Sequence, residues 1–395
     1  TSLYVVAAAA AVAVSPAAAF SPLLALPRVS TGTTHQRLHS RVSVQPLRMA
    51  GAGGVAVTLD STGFDSGDAD PIGSIEALNK VVPRAKITEL IKQTSDAQGF
   101  KQVLSHVASY AGCAALFGVG QAMAFMPLSV LSMIGMAFVM SFNFMALHET
   151  VHRSAFKSRM WNDVFMHVSG FFTMRPAQHY FYYHWAHHKF TGNPEMDSEL
   201  IPSALDMDVS TWPGYLLYVS GLPFWFDAIT TTMKHAIGDC PEHYLTAEKA
   251  KNEIQTEARV YGSMYLSLLA ASIAVPAFGS AMLMYVVAPS VLGQPFLRFY
   301  LMAEHKGCQE STNILENTRT METNWLIRQM AWQMPYHLEH HAWPYVPFHK
   351  LADANKLVVE SGGWSQDSCA PTGENGYLGL NKKVFESLIL KPTIY

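Results

Sequence analysis

Two long stretches of the chain contain no Asp, Glu, Lys or Arg: Gln102 to Leu147, 46 residues, and Val260 to Leu297, 38 residues. A membrane-spanning helix needs about 20 predominantly apolar residues, so each stretch has room for two. The first divides at Met126-Pro127-Leu128 and the second near Pro276-Ala277-Phe278-Gly279, because proline and glycine interrupt a helical pattern. The pattern predicts an all-α integral membrane protein of four transmembrane helices in two tight hairpins, with Pro289 and Pro295 kinking the last helix. Trp212 to Phe226 is aromatic and apolar but too short to span, and is expected to lie as a helix in the membrane interface.

The remaining charges orient these elements. Both turns inside the hairpins lack Lys and Arg, whereas residues 148–259 carry nine and the part after Leu297 carries nine more. Positive charge collects on the cytoplasm-like side, so the N-terminus, the central segment and the C-terminus are expected to share it. Charged residues make up 14% of the chain and hydrophobic ones 49%, against about 25% charged in a typical soluble protein. That composition disfavours a string of soluble domains, and a net charge of −3 gives no basic surface for a nucleic acid. The four cysteines lie far apart without a CxxC pair, so neither a disulfide framework nor a zinc ribbon is indicated.

Residues 1–50 have a different character. An apolar run from Leu3 to Val14 precedes Ala17-Ala18-Ala19-Phe20; Arg28, Arg37, Arg41 and Arg48 then stand among Ser and Thr, and the first acid of the chain is Asp60. This resembles a signal peptide followed by a transit peptide, the bipartite presequence of algae with secondary plastids, and implies a plastid membrane. Residues 51–100 read as a Gly/Asp-rich linker with one short helix around Lys86 to Lys92. Residues 101–350 read as the membrane domain and 351–395 as a C-terminal tail.

Histidine is unusually frequent for so weakly charged a chain, 17 against 27 Lys and Arg together. Three clusters flank the apolar runs: His148-Glu149-Thr150-Val151-His152, His184-Trp185-Ala186-His187-His188, and His337-Leu338-Glu339-His340-His341. Spacings of three and four put imidazoles on one helical face. At this histidine frequency about 0.03 HxxHH motifs are expected by chance, and two occur. Eight neutral imidazoles exceed the four ligands of one zinc and suit two transition-metal ions. All three clusters fall on one side, outside the spans. A transporter would carry its ionisable residues at mid-membrane, so a metal-binding transporter or sensor is the weaker alternative. Glu149, Glu195, Asp197 and Glu339 could hold ligating histidines in the correct tautomer. His179 reads as structural, and His106, His167, His235, His243 and His349 as interfacial or surface residues. Met133, Met136, Met140 and Met145 read as packing, and Phe181, Tyr182, Tyr183 and Trp185 as a substrate entrance or an interfacial belt.

HxxxH, HxxHH and HxxHH with paired hairpins resemble the membrane fatty acid desaturase and hydroxylase superfamily over roughly residues 100 to 350. Lys189 through Asn193, Pro194, Glu195 and Asp197 to Leu200, and His340-His341-Ala342-Trp343-Pro344 with Pro347, extend the likeness. So does Glu304-His305-Lys306-Gly307-Cys308 followed by Asn317-Thr318-Arg319-Thr320. The resemblance implies a non-haem di-iron centre held by His148, His152, His184, His187, His188, His337, His340 and His341, with His305 completing it. It implies O2 as co-substrate and, with no haem, flavin or iron–sulfur motif in the chain, an external electron donor, ferredoxin in a plastid. The favoured activity is desaturation of the acyl chains of membrane lipids; a carotenoid hydroxylase or ketolase is the alternative, and the Glu339 variant of the third cluster occurs in ketolases. The chain departs from stearoyl-type enzymes in the shorter first spacing and in Leu301, from front-end desaturases in His337 and the lack of HPGG, and from plastid methyl-end enzymes in its first cluster.

Overall fold

Proline, glycine and side-chain caps set most of the helix boundaries. The computed structural model describes residues 75–200, 209, 211–309, 311–363 and 376–390, and the expected presequence lies outside them. Two helices, α1 (Ile75–Val81) and α2 (Arg84–Ile91), stand where one short helix was expected, with Pro83 between them. α3 (Asp96–Ala122) is capped by Ser95, whose hydroxyl accepts the Gln98 N–H, and Asp96 complements the positive helix end. Asp96 also accepts from the backbone and hydroxyl of Ser158, at 2.8 and 2.5 Å. After a reversal at Met123–Phe125 comes α4 (Met126–Ser141), with Pro127 in its first turn, where a missing N–H costs nothing. Phe142 separates it from α5 (Asn143–Val151).

α6 (Arg159–Phe172) and α7 (Ala177–Phe190) follow on one side of the membrane helices. The expected single interfacial segment is two helices, α8 (Trp212–Ser220) and α9 (Leu222–Ile237), parted by Gly221 at φ +70°. A side chain at 221 would run into Gln294, so the break also lets this hairpin approach the last membrane helix. Leu216, Leu222, Met233 and Ile237 point outward, as an interfacial helix pair requires.

α10 (Glu248–Ala274), α11 (Pro276–Met282), a π-helical turn at Leu283–Val287 and α12 (Ala288–His305) complete the membrane region. Pro289 has no N–H for the carbonyl of Tyr285, and the Tyr110 hydroxyl from α3 donates to that carbonyl instead. α4 packs between α3 and α12; on α12, a Cβ at Gly293 would fall 2.5 Å from the Ala137 carbonyl oxygen.

Among the described residues, three helical stretches are long and apolar enough to cross a membrane: Asp96–Ala122, Met126–Val151 and Pro276–His305. The expected third span falls in α10, whose first turns read EKAKNEIQTEAR. Its uncharged part, Val260–Ala274, extends about 22 Å at about 1.5 Å per residue, short of a bilayer core of about 30 Å.

Burial is concentrated at the end of the bundle that carries the histidines, where Met145, Leu147, Phe156, Trp332 and Leu338 are fully enclosed. Apolar side chains of the long helices such as Leu104, Leu131 and Ile273 face outward, the distribution expected when lipid is the solvent. The rest of the cap comprises α13 (Ile314–Asn317), α14 (Trp325–Met330), α15 (His337–Ala342), α16 (Leu351–Glu360) and α17 (Gly376–Leu390). α16 packs on α2 and α15, and α17 on α12. Among the described cysteines, Cys308 is disulfide-bonded while Cys113 and Cys240 are free.

Candidate metal centre

His148 stands in the last turn of α5 and His152 caps it, one turn apart on the same face. α7 presents His184, His187 and His188, and the six-residue α15 presents His337, His340 and His341. His305 ends α12. The carbonyls at that helix end are held by Arg319, which donates to the oxygens of Ala303 (2.6 Å) and Lys306 (3.0 Å). Seven of the nine imidazoles are buried; His188 and His305 are partly so.

The structure brings all nine together, in two groups. In each group the candidate ligand atoms lie within 4.8 Å of one another: His148, His152, His184, His188 and His340 form one, and His187, His305, His337 and His341 the other. Each HxxHH motif therefore divides. His184 and His188 face the first group while His187, a quarter-turn away, faces the second; His337 and His341 face the second while His340 faces the first. The groups touch where His188 stacks on His341, with ring centroids 4.1 Å apart and planes at 17°.

Ring nitrogens converge as ligands of a common cation would. The Nε2 atoms of His184 and His188 are 3.1 Å apart, those of His337 and His305 3.0 Å, and those of His341 and His337 3.1 Å. Both nitrogens of His152 and of His340 are buried without a hydrogen-bond partner. Orphaned buried imidazole nitrogens carry a desolvation cost that a metal ion would remove, so the residues fit a pair of transition-metal ions.

Electrostatics agree with that fit. Burial, reinforced by neighbouring imidazoles, holds His152, His184, His188, His337, His340 and His341 well below the usual imidazole range, keeping them neutral and able to ligate. His187 differs. Burial works against its protonation, but Glu199 and Asp197 outweigh it and raise its pKa to about 9. A cation at Nε2 would take the place of that proton.

Acceptors behind two of the rings, those of His187 and His305, fix their tautomers. Asp197, itself buried, accepts from His187 Nδ1 at 2.8 Å and is held by the backbone N–H groups of Gly192 and Glu199, both at 2.9 Å. Glu149 Oε1 lies 3.6 Å from Nδ1 of both His148 and His340, and Glu304 lies 3.7 Å from Nδ1 of His337. The Asn317 carbonyl accepts from His305 Nδ1 at 3.0 Å.

Other sequence expectations are redistributed. Glu339 backs no histidine; it accepts from Thr320 Oγ1 and Asn355 Nδ2, both at 2.7 Å, and so ties α15 to α16. Glu195 is exposed. His179 stands outside both groups, 2.8 Å from the Tyr244 hydroxyl. His235, expected at the surface, is fully buried and bonded to Glu242 at 2.7 Å. Phe181 and Tyr182 are buried, and Trp185 packs on His152 at 5.0 Å, so these aromatics wall the cap instead of lining an entrance. Glu304 and Asn317 were missed as acceptors, although both stand in runs that carried the sequence resemblance.

A family model described as fatty acid desaturase matches residues 89–369. The chain belongs to the fatty acid desaturase family. Two curated desaturases are similar to it. One is the dihydrorhizobitoxine desaturase of Bradyrhizobium elkanii, 26% identical over 232 residues that cover 55% of this chain and 64% of that protein. The other is the sphingolipid delta(4)-desaturase of Candida albicans, 22% identical over 240 residues, 55% of this chain and 58% of that protein. The chain spans less than two thirds of either relative. The desaturase family match contains all nine clustered histidines and also Asp197, which gives a first test. Asp197→Asn removes the charge behind His187 while keeping the shape. Metal affinity at the second group is expected to fall about 10- to 100-fold in a chelator competition, and an unchanged affinity would show that Asp197 does not orient this ligand.

Proposed function

We propose that this protein is an O2-dependent oxidoreductase that holds two irons on the nine histidines and introduces a double bond into the acyl chains of membrane lipids. The observation that carries the reading is the division of nine converging imidazoles into two adjacent groups, each supplied by more than one histidine cluster. When bound, the irons supply O2 activation and the removal of hydrogen from unactivated C–H bonds.

The chain's own residues do the rest. Asp197 and the Asn317 carbonyl accept from Nδ1 of His187 and His305 and keep their Nε2 atoms pointing into the centre, while Glu149 and Glu304 stand 3.6–3.7 Å from Nδ1 of His148, His340 and His337. The enclosed cap excludes water from the reacting carbons, as side reactions of a strong oxidant require. A narrow cleft of about 20 Å³ between α4, α6, α9 and α12, lined by Met140, Phe144, Phe172, Phe224, Trp225 and Leu297 with Ser141 and Gln294 among them, would have to widen to admit an apolar chain. Phe144 at its inner end lies 6.3 Å from His148, which makes this cleft the proposed route to the irons. On this reading α10, with α11, contributes a fourth membrane-crossing element, giving two hairpins, the membrane is that of a plastid, and electrons come from ferredoxin.

Purified protein is expected to contain about two irons per chain; one zinc and no iron would overturn the reading. Expressed with ferredoxin and its reductase in a host making both lipids and carotenoids, the chain is expected to change the fatty acids and leave the pigments alone. Altered pigments with unchanged fatty acids would overturn the choice of substrate.

A further inference from the structure

Beside the proposed substrate cleft lie two arginines with no carboxylate at ion-pair distance among the described residues. The Arg175 guanidinium, in the connection before α7, is boxed by four aromatic rings: Phe144 at 5.7 Å, Tyr180 at 5.4 Å, Tyr183 at 5.5 Å and Phe224 at 5.2 Å from the ring centroids. It is half-buried and makes no hydrogen bond to a described residue; the carboxylates that act on it, Glu199 and Asp227, do so from beyond contact. Arg298, buried near the cap end of α12, lies 4.8 Å from the same Phe224 ring and 5.8 Å from that of Tyr218. Its Nε and Nη2 donate to Gln294 Oε1, at 3.2 and 3.0 Å, and it also hydrogen-bonds the Tyr218 hydroxyl, so both of its partners are uncharged.

Cation–π contacts offset part of the cost of enclosing a guanidinium, but they leave its N–H donors unused. Enclosed cations are normally matched by anions. Both arginines border the cleft through residues that line it, Arg175 through Phe144 and Phe224 and Arg298 through Gln294 and Phe224. The indole N–H of Trp225, also in the lining, is buried and has no acceptor. An apolar cleft edged by two planar cations and a spare donor is complementary to an amphipathic molecule with an anionic end.

We infer that Arg175 and Arg298 bind the anionic head group of the substrate, a carboxylate or phosphate, while its hydrocarbon chain enters along the cleft, which widens from its present volume of about 20 Å³ to take it. The inference rests on the cleft being the substrate route, and it bears directly on substrate class. A carotenoid, being uncharged, would leave both guanidiniums unmatched, whereas a fatty acid or an acidic phospholipid would not. The site also lies close to the reaction centre: Tyr180, one wall of the Arg175 box, stacks on His184 with centroids 5.2 Å apart.

The test is a binding measurement that needs no turnover. Purified full-length protein in detergent is titrated with three labelled probes: palmitate, methyl palmitate, and phosphatidylglycerol diluted into phosphatidylcholine micelles. Palmitate or phosphatidylglycerol, or both, are expected to bind about tenfold or more tightly than methyl palmitate, and which does so identifies carboxylate or phosphate as the source of the charge. Arg175→Gln and Arg298→Gln are each expected to remove that preference and to leave methyl palmitate binding unchanged. Arg175→Lys keeps the charge without the planar fork and is expected to retain part of it. Equal binding of all three probes to the unaltered protein would overturn the inference, as would glutamine variants that keep the full preference. Should a glutamine variant fail to fold, the comparison of both anionic probes with methyl palmitate on the unaltered protein still decides. Protein that lacks iron but discriminates these probes would leave the head-group site standing and count against the di-iron reading. Protein with two irons and desaturase activity but no discrimination would do the reverse.

Discussion

Replacing His340 with alanine is expected to reduce product formation below detection and to lower bound iron from about two per chain to one or fewer. His340 is fully buried at the centre of the first group, with its ring 4.6 Å from those of both His148 and His152 and 4.9 Å from that of His188. Both its nitrogens lack hydrogen-bond partners, so no other contact of the side chain accounts for its place there. Loss of an acceptor behind a ligand typically costs about 10- to 100-fold in affinity or activity, and loss of the ligand itself is expected to cost more. Iron analysis and fatty acid profiling of the same preparation check both halves. His179→Ala serves as the contrast: it removes an imidazole from the same helix that bears the second cluster but outside both groups, and is expected to keep both irons. A His340→Ala protein with two irons would remove His340 from the ligand set.

Gly192→Ala is expected to be the most damaging single-methyl change near the centre. Gly192 ends the stretch after α7 at φ +79°, a left-handed conformation that costs an alanine about 1–2 kcal/mol. The added Cβ would also overlap the Ser311 carbonyl oxygen and come within 2.8 Å of Asn317 Nδ2, for which overpacking adds about 1–3 kcal/mol. The consequences reach the second group from two sides. The Gly192 N–H holds Asp197, which orients His187, and Asn317 supplies the carbonyl that orients His305. The variant is expected to melt at a lower temperature and to lose iron from the second group first. Thermal unfolding and iron titration measure this; unchanged melting and two full irons would show that the loop around Ser311 gives way freely.

The local composition of the chain made much of this legible. Charge-free runs with proline breaks located the long helices, because a helix in lipid must be apolar along its whole length and proline cannot continue a helical ladder. The histidine clusters announced themselves by spacing. α10 falls outside the three long apolar stretches for an equally physical reason: twelve largely polar residues precede its charge-free window and leave its apolar part short of a bilayer core. The interfacial segment was read as one helix because Gly221 looks unremarkable in sequence; its role depends on Gln294, more than seventy residues away.

What the sequence by itself determined is the inventory: which nine imidazoles are available, that all three clusters lie outside the apolar runs, and which acids stand beside them. It could not determine how the imidazoles divide. Spacings of three and four place side chains on a shared helical face, yet they do not say that His187 turns away from His184 and His188, or that His340 leaves His337 and His341. Those assignments follow from where α5, α7, α12 and α15 meet, and that is set by packing across hundreds of residues of sequence. The same holds for Glu339, which local spacing put behind a histidine and the fold committed to Thr320 and Asn355. Arg175 and Arg298 are two ordinary cations in the sequence; only the tertiary structure sets both against one Phe224 ring at the edge of an apolar cleft, because aromatic faces and buried acceptors are properties of the assembled bundle.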